Sequence, residues 1–116
     1  MKITNQARNY ALKHGVHIYG LTSKWSRALV FYDVTSGTKL CTYKSYHDEI
    51  PLQKSLNYKL KTETFKAMPD DIRTAQGVQK VVDALIAHGE ARKLDDDELA
   101  RARNHIIFRS TGVNVQ

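Results

Sequence analysis

His47, Asp48 and Glu49 stand in succession and, with His14 or His17, are the grouping of side chains best able to hold a metal or exchange protons. Adjacent residues of an extended segment point to opposite sides, and no HExxH, CxxC, paired-carboxylate or glycine-rich phosphate motif accompanies them. The segment reads better as a polar turn. Cys41 is the lone cysteine and has no motif partner, so a packed thiol is expected rather than a nucleophile. The run Asp95-Asp96-Asp97-Glu98 reads as acidic residues at a helix start, and His14-Gly15 and His88-Gly89 read as helix endings. No catalytic residue, metal ligand or cofactor is assigned.

Binding chemistry is better represented. The formal net charge is +6, and it is unevenly placed: residues 1–66 hold eleven Lys and Arg against four Asp and Glu, residues 67–116 seven against eight. Such a split points to a basic face for DNA or RNA, or for the acidic surface of a host protein. Nine of the eleven cations are lysines, hydrated point charges suited to phosphate rather than to base edges. In Lys24-Trp25-Ser26-Arg27 an aromatic stands between two cations, a pattern for stacking on a base or anchoring a protein contact; alternatively Trp25 folds back on the sheet end. Lys39, Lys44, Lys54, Lys59, Lys61 and Lys66 make a lysine field, with Tyr46 and Phe31 as stacking surfaces. For Lys59 and Lys61 a second role is open, since lysines on an edge strand keep its backbone from recruiting another sheet.

These side chains need elements to hold them. Thr4 or Asn5 caps a helix of about ten residues that Gly15 ends. Strands follow over 16–22 and 27–34, and a Ser36-Gly37 hairpin turn would pair Val34 with Lys39, Tyr32 with Cys41 and Val30 with Tyr43 on a covered face. Leu29, Phe31, Asp33, Leu40, Thr42 and Lys44 would then form a mixed, partly open face, where a partner docks. Pro51 keeps Ile50 from being helical. In KSLNYKLKTETFK (54–66) Leu56, Tyr58 and Leu60 alternate with polar residues, the period of a fourth strand with those three buried. Met68-Pro69-Asp70-Asp71 opens a long helix carrying Ile72, Ala75, Val78, Val82, Leu85 and Ile86 as its apolar stripe, and Gly89 ends it. A last helix starts at Asp95, with Asp95 and Glu98 spaced as a capping box, and runs to about Phe108, leaving a frayed tail over about 110–116.

The expected fold is a single α+β domain over residues 1–116: an antiparallel sheet of three to four strands, with a short N-terminal helix and two C-terminal helices packed on one face. Helix, three antiparallel strands and helix is similar to the topology of double-stranded-RNA-binding domains, and a three-stranded sheet on a helix resembles the arm-binding domains of phage integrases. The motifs differ. Asp70, Asp71 and Arg73 stand where double-stranded-RNA binders carry a lysine cluster, and Pro51 interrupts the helix an integrase arm domain would start there. With no apolar run near 18 residues, no secretory signal and one cysteine, a cytoplasmic protein outside the membrane is expected. Three functions follow in order. The first is a small non-catalytic nucleic-acid-binding protein using mainly backbone phosphates; the second is a phage-like small modulator docking on a host protein or nucleoprotein complex. The third is a small metal-dependent nuclease. An exposed sheet face would also suit a homodimer.

Overall fold

Sheet strands bury one side when alternate residues are apolar, and Val16, Ile18, Leu29, Phe31, Cys41, Tyr43, Leu52 and Ile72 supply that side here. The computed structural model describes residues 3–22, 26–46 and 51–104. Helix α1 (Asn5–Lys13) leads into strands β1 (Val16–Thr22), β2 (Ser26–Asp33), β3 (Lys39–Tyr46) and β4 (Leu52–Asn57). Helix α2 (Thr62–Ala67), the short strand β5 (Asp71–Ile72) and helix α3 (Ala75–Ala87) complete the core, and residues 96–104 belong to a further helix, α4. The five strands form one antiparallel meander in chain order. Ala7 and Ala11 of α1 and Val78, Val81, Val82 and Leu85 of α3 join the inward strand residues in one apolar cluster. Tyr10 Oη donates to Asp83 at 2.6 Å, tying α1 to α3.

The α+β class, the antiparallel sheet and the N-terminal helix agree with the sequence reading. The Thr4 hydroxyl accepts from the Ala7 amide, and Gly15 follows the helix with φ 77°. After α3, Gly89 (φ 73°) donates to Ile86 O and Glu90 to Leu85 O, the pair of bonds that closes a helix through a left-handed glycine. At α4 the capping box is present: the Glu98 amide donates to Asp95 Oδ1 at 2.8 Å and the Asp95 amide to Glu98 Oε1 at 3.2 Å. The Arg92 guanidinium and the Asp95 amide together hold the Glu98 carboxyl down to about 2. The expected helix end at Phe108 and the tail lie outside the described residues.

Four expectations are corrected. The hairpin register is slipped: Phe31, not Tyr32, lies opposite Cys41, and Leu29, not Val30, opposite Tyr43. Val34 leaves the hairpin to donate to Gly15 O, so the loop spans four residues and closes through Asp33 N to Thr38 O at 2.8 Å. Leu40 then bulges, because Tyr32 pairs with Lys39 while Phe31 pairs with Cys41. Phe31 is thereby fully buried and offers no stacking surface.

Next, the apolar alternation of 56–60 is not a buried strand face. Ser55 is a second bulge, β4 ends at Asn57, and Leu56 and Tyr58 are exposed while Leu60 is buried. The Asn57 side chain turns the chain by accepting from Leu60 N (2.8 Å) and donating to Leu60 O (2.9 Å), and residues 62–67 are helical. Third, Asp71 and Ile72 do not open the long helix; they form β5 against Gln53 and Leu52, and α3 starts at Ala75. Finally, the strands number five among the described residues, and α2 is a helix that the alternating pattern concealed.

Because one side chain makes both bonds at the Asn57 turn, Asn57→Ala should lower stability by about 1–2 kcal/mol. A urea midpoint unchanged from the wild type would show that the turn closes without it.

Candidate nucleic-acid interface

Burying one face of the sheet forces the residues between onto the other. Strand pairing arranges them in rows across β1 to β4: His17, Tyr32 and Lys39; then Tyr19, Val30, Thr42 and Leu56; then Leu21, Ala28, Lys44 and Gln53; with Ser26 beside Tyr46 beyond. Tyr58, just past β4, donates its amide to Leu40 O and lies beside the first row, where Lys39 Nζ stands 5.7 Å from its ring centroid. Val30 and Thr42 are buried near the middle of this face, and Val30 is separate from the helix-side cluster.

The rim is another matter. Leu21 (48%), Tyr46 (55%), Leu56 (53%) and Tyr58 (44%) are the exposed large apolar side chains of the described residues, and all four belong to this face. They are set around its rim, in separate rows of the sheet. His17 lies 6.3 Å from Tyr32 and 6.4 Å from Tyr19, ring centre to ring centre, and Lys44 Nζ lies 5.2 Å from the Tyr46 ring centre. Aromatic rings thus carry cations beside them at both ends of the sheet. None of the outward positions of β1 to β4 carries a carboxylate; the nearest by register is Asp71, opposite Gln53 on β5 and 3.6 Å from Arg73.

The cations named from the sequence separate into two groups. Lys39 and Lys44 stand on the open face with Tyr46, and Lys59 is exposed one residue after Tyr58. Lys54 faces the other way, 13% exposed, with its ammonium donating to Phe65 O (2.7 Å) and Met68 O (3.3 Å) at the end of α2 and standing 4.7 Å from the Phe65 ring centre. Lys61 is committed to the end of α3: Nζ donates to His88 O at 2.9 Å, and its amide meets the Glu90 carboxylate. Both lysines occupy the negative pole of a helix, the position the dipole favours. Lys66 is exposed in the last turn of α2, and Arg27 lies opposite Ser45 on the helix side. Lys24 and Trp25 lie outside the described residues.

Sequence reasoning missed His17, Tyr19, Leu21, Tyr32, Gln53, Leu56 and Tyr58. Alternation in VHIYGLT was the available signal for the first three, since Val16 and Ile18 claim one face and leave His17, Tyr19 and Leu21 the other. Among the described residues no three His, Cys, Asp or Glu side chains gather closely enough to hold a metal, and His47, Asp48 and Glu49 lie outside them. Cys41 is fully buried, which pushes its thiol up to about 12. Tyr43 is raised as well, chiefly by burial, and donates to Pro69 O at 2.5 Å. No described helix is long and apolar enough to cross a membrane. No known protein family, curated protein or solved structure matches this chain.

Removing the Lys54 ammonium strands two carbonyls, so Lys54→Met should cost about 1–3 kcal/mol in urea unfolding; an unchanged midpoint would return this lysine to the pool available for a partner. Cys41 should react with a thiol reagent at pH 8 only as fast as the protein unfolds, whereas labelling at the rate of a free thiol would place it at the surface.

Proposed function

We infer that the protein is a nucleic-acid-binding protein that lays a single strand across the open sheet face, stacking bases on its tyrosines and meeting phosphates with Lys39, Lys44 and Lys59. The observation that carries this reading is the coincidence, on one face, of the exposed tyrosines and their neighbouring ammonium groups, with no carboxylate among the outward positions of β1 to β4. Successive rows lie two residues apart, about 6.7 Å along the strands and roughly twice the 3.4 Å rise of a stacked strand. Bases that reach successive rows are therefore parted from one another and meet the protein's rings instead. Duplexes keep their bases paired and deny the rings that contact.

Charge argues against a second copy as the occupant. In a two-fold contact each face meets itself, which would set the Lys39 and Lys44 side of β1 to β4, where no outward position carries a carboxylate, against its own copy. A second reading, an acidic protein surface that this chain modulates, draws on Leu21 and Leu56, whose exposed apolar side chains suit the dry centre of a protein contact.

Fluorescence anisotropy of labelled single-stranded and duplex oligonucleotides, repeated from about 50 to 200 mM salt, tests the first reading. Single strands should bind more tightly than duplexes, with a log-log salt slope near −2 for three phosphate contacts. Tyr58→Ala and Tyr46→Ala should each weaken binding by about 1–3 kcal/mol, and Lys44→Ala should reduce the slope by about 0.7. Absence of binding to any strand at the lowest salt would leave the acidic-protein reading standing in its place.

A further inference from the structure

Beyond the bulge at Ser55, β3 and β4 pair again at Lys44 and Gln53, and a cleft of about 340 Å³ lies there, lined by Lys44, Tyr46, Pro51, Gln53 and Ser55 among others. A volume of that order suits a small-molecule-sized group. Its chemistry is specific. Tyr46 offers a half-exposed ring with an ammonium beside it, and Gln53, exposed on the adjoining strand opposite Lys44, offers a carboxamide with a donor and an acceptor side by side. Ser55 adds a hydroxyl at the rim that either gives or accepts.

We propose that this cleft takes one unstacked base of the bound strand, adenine by preference, and that Gln53 reads its edge while Tyr46 stacks on its plane. This rests on the reading of the open face as a nucleic-acid platform. A carboxamide matches a base where a donor and an acceptor adjoin, and Gln to the amino group and ring nitrogen of adenine is the standard pairing. In adenine the amino group has a ring-nitrogen acceptor on each side, so Gln53 fits in two orientations, whereas the amino group of cytosine has one; thymine and uracil also offer two such pairs, around N3–H, so against them the margin rests on ring size. The larger purine ring also covers more of Tyr46. Lys44, beside the ring, neutralises the phosphate of the same nucleotide. The platform therefore has a position that selects among bases, whereas the stacking rows accept all of them.

The test compares labelled homopolymers of adenine and of pyrimidine nucleotides, in DNA and RNA forms, by anisotropy against the full chain. Adenine strands should bind at least about fivefold tighter than pyrimidine strands of the same length, and the DNA and RNA arms show whether the 2′-hydroxyl adds to this. Gln53→Leu should erase that margin, and Gln53→Glu, which only accepts, should shift preference toward the amino group of cytosine. Equal binding of all homopolymers by the wild type would overturn the base-reading role while leaving the platform intact, and so would an adenine margin that survives in both Gln53 variants. Failure to bind any strand at low salt would overturn both.

Discussion

Side chains alternate across a pleated sheet without exception except at a bulge, so the burial of Ile18, Leu29, Phe31, Cys41 and Tyr43 under α1 and α3 dictates everything the protein shows on the far side. His17, Tyr19, Tyr32, Lys39, Lys44 and Tyr58 are outward because their neighbours are inward. At roughly 1.5–3 kcal/mol for each fully buried large side chain, the inward set fixes the register far more firmly than the rim residues could by themselves. Two bulges then tune the outcome. Leu40 lets both itself and Cys41 reach the core while Lys39 stays outside, and Ser55 lets Lys54 turn inward while Leu56 turns out.

Those bulges also mark the limit of what the sequence made legible. The helix at Asn5–Lys13, the strands over 16–22 and 26–46, the end of α3 at Gly89 and the capping box at Asp95 were readable because each depends on local chemistry: a capping hydroxyl, a left-handed glycine, a two-residue period. The register of β2 on β3 was not, because it hangs on Val34 bonding to Gly15, a contact made across the fold. Nor was the fate of Leu56 and Tyr58. Their alternation with polar residues is that of a half-buried strand, yet residues 55–59 are all exposed and only Leu60 is buried, since Asn57 ends the strand, turns the chain, and α2 follows. Of the proposed binding residues, Lys39, Lys44 and Tyr46 were found from the sequence, but the rings around them were not, for aromatics are expected inside.

Counting charge misleads in a related way. The surplus of cations in residues 1–66 is real, yet Lys54 and Lys61 are committed to the carbonyl ends of α2 and α3, the helix pole that favours a cation. Among the described residues, carboxylates stand at Asp83, Glu90 and the Asp95–Glu98 turn on the helical side and its ends, and at Asp71 on the short strand β5. What remains for the open face is a small number of ammonium groups placed beside rings.

If a single strand is the partner, that division bears on how stacking and charge would share the affinity. With about three phosphate contacts on a single strand, a fourfold rise in salt weakens binding by about 18-fold, or about 1.7 kcal/mol, while two stacked bases contribute about 2–6 kcal/mol. On the proposed reading, stacking would carry the part of the affinity that survives a rise in salt, and the lysines would steer a strand and orient its phosphates. A platform built on those terms discriminates by whether bases are free to leave their own stack, and a cleft such as that beside Tyr46 and Gln53 is then the natural place for sequence preference to enter. A face relying on charge alone would have no means to supply it.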